Sequence, residues 1–66
     1  MDIVVNGEKR DIEKNMSLAA LLAKLGLQEL PLAVELNGHV IKRQHHAVTP
    51  LREGDRLEIV TFVGGG

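Results

Sequence analysis

The chain has 66 residues, with 8 basic and 9 acidic side chains, three histidines and no cysteine. A chain this short makes one domain that buries only about 60% of its unfolded surface, leaving little room for an enclosed catalytic cavity beside a core. A net charge of −1 gives no electrostatic footprint for nucleic acid or an anionic membrane, and the lack of cysteine excludes disulfides, thiolate metal sites and thiol nucleophiles.

The elements follow in chain order. Met1 to Val5 is apolar and β-branched and runs straight into Asn6-Gly7, the pair that favours a type I′ hairpin turn. Glu8 to Glu13 is the predicted return strand; Ile12 is its only apolar residue, as suits an edge. Ser17 is a good N-cap for a helix whose Leu18, Leu21, Leu22 and Leu25 form one apolar stripe at i, i+3, i+4 and i+7. Met16 precedes the cap as a hydrophobic staple onto Leu21. Gly26 stands at C′, with Leu27 placed to fold back on Leu22.

Pro31 separates this helix from a strand over 32–36, and a second Asn-Gly turn at Asn37-Gly38 leads to His39-Val40-Ile41. Lys42 to His46 reads as an irregular polar loop with solvated histidines. Val48 to Leu51 reads as a short edge segment broken by Pro50. Glu53-Gly54-Asp55 is a turn, and Arg56 to Val63 is the last strand, with Leu57 and Ile59 on one face and Val60 and Phe62 on the other. Gly64-Gly65-Gly66 follows without a spacer. One helix cannot bury its leucines alone, so the economical arrangement is α+β: a mixed sheet with the helix across one face and the first and last strands central and parallel. The expected core is Ile3, Val5, Leu18, Leu21, Leu22, Leu25, Val34, Leu36, Leu57 and Ile59. The expected division is a domain over 1–63 and a flexible tail over 64–66.

This order, with a diglycine just after the final strand, resembles the β-grasp fold of ubiquitin. It is more similar still to ThiS, the sulfur-carrier family of thiamine biosynthesis. The residues that carry the likeness are Glu35-Leu36-Asn37-Gly38, Leu51-Arg52-Glu53-Gly54-Asp55 with Leu57-Glu58-Ile59-Val60, and the ending Thr61-Phe62-Val63-Gly64-Gly65-Gly66. MoaD, the sulfur carrier of molybdopterin synthesis, is the rival family. It is usually longer and tends to carry prolines before the diglycine, which are missing here. The resemblance implies that a ThiF-type enzyme using ATP and magnesium adenylates Gly66. Sulfur would then come from a persulfide-bearing donor, and the Gly66 thiocarboxylate would be delivered to thiazole synthase. The chain would be a substrate of these enzymes, with no catalytic group and no bound cofactor of its own.

The chemistry of such a terminus is sound apart from any family. An α-carboxylate has a pKa near ~3.5 and is a poor electrophile when ionised, whereas an acyl adenylate carries a good leaving group that a sulfur nucleophile can displace. Glycine has no Cβ, so Gly64 and Gly65 can thread a narrow cleft and place Gly66 inside a partner's active site. The alternatives are a ubiquitin-like modifier conjugated through the same activated carboxyl, and a binding module with an inert tail. Shortness and an ending on glycine lean toward a dedicated carrier.

The remaining residues are expected to be structural. His39, His45 and His46 lack metal-ligand spacing, so no metal site is expected. Lys42 and Arg43 with these histidines form a small basic patch read as a wetted loop. Val4, Val60, Phe62 and Val63 are predicted to form an outward apolar docking surface for partners, although a twist near the strand end would tuck Phe62 into the core margin. No apolar run approaches the ~20 residues of a membrane span, and Met1 to Val5 lacks the basic start of a signal peptide. The expectation is a cytoplasmic protein, monomeric when free, without nucleic-acid or membrane partners.

Overall fold

The structure is a computed structural model, and it describes residues 1–62. Val63 and the tail Gly64, Gly65 and Gly66, predicted to be flexible, lie outside the described residues. β1 (Asp2–Val5) and β2 (Glu8–Asp11) form the first hairpin. α1 (Leu18–Lys24) follows, then β3 (Leu32–Leu36) and β4 (His39–Ile41), a 3₁₀ helix over Arg43–Val48, and β5 (Arg56–Thr61). The five strands make one sheet in the order β2-β1-β5-β3-β4. β1 runs parallel to β5, and every other neighbouring pair is antiparallel. With α1 across one face, this is the β-grasp arrangement expected from the sequence.

Turn chemistry sets the register. Asn6 and Gly7 both have positive φ (49° and 81°), as do Asn37 and Gly38 (50° and 85°), which is the type I′ requirement. Each asparagine then uses its side chain as a further rung of the sheet. The Asn6 amide donates to Ile59 O at 3.1 Å, and its oxygen accepts from Ile59 N at 2.7 Å. Asn37 Oδ1 accepts from Arg56 N at 2.9 Å. Both hairpin turns are therefore tied to β5.

α1 is shorter than its leucine stripe, because Leu25 is already the C-cap. The Ser17 hydroxyl accepts from Ala20 N at 3.0 Å, and Gly26 at φ +75° permits a Schellman ending. In that ending Leu27 N donates to Leu22 O and Gly26 N to Ala23 O.

The core holds Ile3, Val5, Leu18, Leu21, Leu22, Val34, Leu57 and Ile59, together with Ile12 and Leu51. Leu25 and Leu36, expected inside, are half-buried and pack on its margin. Ile12 and Leu51 join the core because each lies just beyond a regular element, where the chain turns inward. Ile12 N is held by Met1 O and Leu51 N by Met16 O.

Two loop expectations are corrected. The polar stretch after β4 is a 3₁₀ helix and is not irregular, and His46 within it is buried at 5% exposure. Its Nε2 lies 3.0 Å from the Ile41 carbonyl, so that nitrogen carries the proton and donates. The Val48 to Leu51 segment reduces to a single bridge between Ser17 and Pro50. No helix among the described residues is long and apolar enough to cross a membrane.

Candidate functional site

α1 covers one face of the sheet, and the other face is open. Alternation along β5 buries Leu57 and Ile59 and leaves Glu58 and Val60 exposed. Val60 is 55% exposed and Phe62 56%, so the outward placement of Phe62 is the one the structure adopts. Phe62 is the last described residue, and its N–H donates to Pro31 O at 2.9 Å, one rung past the end of β5.

The register divides the expected docking residues. Val60 lies opposite Ala33 on β3, and Phe62 follows on the same face. Val4 is half-buried and lies level with Arg56. That is four residues along β5 from Val60, or about 13 Å. The structure therefore brings Val60 and Phe62 together but not Val4. Val40, 70% exposed on β4 and opposite Glu35, is a member of this face that the sequence did not reveal. Its strand was legible in the sequence, but its side of the sheet follows from the β3–β4 register that sets Val40 opposite Glu35.

Of the basic and histidine side chains in this stretch, Arg43 and His46 take structural roles. The Arg43 guanidinium donates to Gln28 O at 2.8 Å and to Leu30 O at 2.6 Å, strapping the loop between α1 and β3. Arg43 and His46 border an open depression of about 160 Å³, and the bonds just given turn both toward backbone carbonyls. His39 and His45 are exposed. Among the described residues no group of histidine, aspartate and glutamate is arranged to hold a metal. Val60, Phe62 and Val40 thus put exposed apolar side chains on the open face of the sheet, next to the end of the described chain.

Comparison with known proteins agrees with this architecture. A crystal structure described as thiamine biosynthesis protein (ThiS) from Geobacter metallireducens superposes with a TM-score of 0.85 at 32% identity, covering 100% of both chains. The chain is 41% identical over 66 residues to a thiazole synthase of Paramagnetospirillum magneticum, but it spans only 20% of that protein's length. It is 38% identical to the uncharacterized protein ycf40 of Pyropia yezoensis, covering 93% of it. The model of the ThiS family matches residues 3–66. Full-length agreement in fold, with a family match that runs through the final glycines, places this chain in the ThiS family.

Proposed function

We propose that this chain is a sulfur carrier of thiamine biosynthesis and that the carbonyl carbon of Gly66 is its reacting atom. The observation that supports this reading best is the family match, which runs through Gly66, four residues after the rung made by Phe62. A ThiF-type enzyme with ATP and magnesium joins the Gly66 carboxylate to AMP and releases pyrophosphate. A persulfide sulfur then attacks the acyl carbon, AMP leaves, and an acyl disulfide remains. Attack of a thiol on the donor's sulfur frees the thiocarboxylate and leaves a mixed disulfide on the donor, which a second thiol reduces to return the donor thiol. Thiazole synthase is the proposed acceptor. A longer relative bearing that name contains a segment 41% identical to this chain.

The chain itself contributes no acid, base or cofactor. It supplies a grip and a reach. Val60 and Phe62 are the grip for the adenylating enzyme, and Gly64 and Gly65 let Gly66 enter a narrow site without side chains in the way. The cytoplasm, where ATP is present, is the proposed setting.

Intact mass spectrometry tests this reading. The full chain is incubated with the adenylating enzyme, ATP, magnesium and a persulfide donor. Exchange of one oxygen for sulfur on Gly66 is expected. Conjugation to other proteins would make the chain a modifier, and an unchanged mass would make its tail inert.

A further inference from the structure

β3 and β5 are adjacent at the centre of the sheet, and Glu35 lies directly opposite Glu58 in their register. Asn37 N donates to Arg56 O, and Phe62 N to Pro31 O. Those pairs bracket Glu35 and Glu58 at even spacing, so Glu35 and Glu58 are also a hydrogen-bonded pair, with Cα atoms about 5.5 Å apart. Both side chains are exposed on the open face. Like charges directly opposite on neighbouring strands destabilise a sheet. The ion pairs among the described residues join Met1 to Asp11, Lys9 to Asp2 and Lys24 to Glu13, and none of them reaches Glu35 or Glu58. The repelling pair sits within the apolar region: Val40 flanks Glu35 in the same row, and Val60 with Ala33 forms the next row toward Phe62.

We infer that Glu35 and Glu58 form a receptor for an arginine guanidinium of the adenylating enzyme, which docks on Val60 and Phe62 at the same time. This deepens the sulfur-carrier reading and rests on it for the partner's identity. Two carboxylates side by side offer several acceptors to one planar cation, and a guanidinium fits such a pair better than an ammonium does. Covering the pair with apolar surface alone would strand two charges, so a matching cation is required.

The experiment separates docking from chemistry. Glu35→Gln and Glu58→Gln, singly and together, are compared with Glu8→Gln, which removes one charge from exposed β2. Each variant is titrated against the adenylating enzyme and against thiazole synthase. The single variants should raise Tm by about 1–5 °C through relief of repulsion, and should weaken binding to the adenylating enzyme about tenfold. The double variant should flatten the salt dependence, and Glu8→Gln should change neither quantity. Wild-type affinity in the double variant, an equal loss in Glu8→Gln, lowered Tm in both single variants, or an effect on thiazole synthase alone would overturn the inference. A wild-type chain that binds the adenylating enzyme through these carboxylates but is never thiolated would sink the carrier reading and leave the receptor standing. Normal thiolation of wild type with unchanged binding by the double variant would do the reverse.

Discussion

At the scale of single residues, the turn asparagines do more than turn. Asn6 has φ 49°, a conformation that costs most L-residues about 1 kcal/mol or more, and its side chain closes two hydrogen bonds with Ile59. Asn6→Ala should therefore lower stability by about 2–3 kcal/mol, since each part-buried bond contributes ~1 kcal/mol and the backbone strain adds to it. Asn6→Gly removes the strain but not the bond loss, so urea denaturation should place it between wild type and Asn6→Ala. Equal midpoints for Gly and wild type would mean that the side-chain rung contributes nothing. The Asn-Gly dipeptides made these turns legible in the sequence, because positive φ is a local demand. The rung to β5 was not legible, because it joins positions 53 residues apart. Arg43 and His46 were misread for the same reason: their partners are backbone carbonyls brought near by the fold, and a polar stretch carries no sign of that.

At the scale of elements, periodicity identified what it could. The leucine stripe with its Ser17 cap gave α1, and alternation gave the inward face of β5. The 3₁₀ helix escaped because 43–48 has no apolar repeat, and His46 is its only buried side chain. Leu25 fell on the margin because the Schellman ending stops the helix one residue before the stripe does. The core is small enough for one leucine to matter. Leu22 is 2% exposed, and its backbone carbonyl accepts from Leu27 N where the chain leaves the helix. Leu22→Ala should cost roughly 2–5 kcal/mol, a large part of what so short a chain can have. Thermal unfolding by circular dichroism checks this; a loss under 1 kcal/mol would mean that the site collapses around the smaller side chain.

At the scale of the whole molecule, the proposed reading assigns stability and presentation to opposite faces of one sheet, which makes them separable. Phe62 is more than half exposed. Phe62→Ala should thus leave the unfolding midpoint near wild type while weakening the adenylating enzyme's grip by about 2 kcal/mol or more. A variant that unfolds would show that Phe62 belongs to the core margin. The tail poses the sharper test, because its length converts directly into distance. Each residue contributes at most ~3.5 Å of reach, so deleting Gly64 draws the reacting carbon back by up to that much while keeping the Gly-Gly ending. A misplacement of 1 Å at a reacting centre can cost about 10²-fold. The Gly64-deleted chain should therefore bind the adenylating enzyme with wild-type affinity, since Val60 and Phe62 are untouched, yet be thiolated at least 10²-fold more slowly. Amidating the terminal carboxylate should likewise spare binding and, by removing the group that is adenylated, abolish loading. Single-turnover thiolation followed by intact mass, beside a binding titration, measures both quantities. If loading survives the loss of Gly64, the grip on Phe62 does not set the register of the tail, and the partner must hold the glycines themselves.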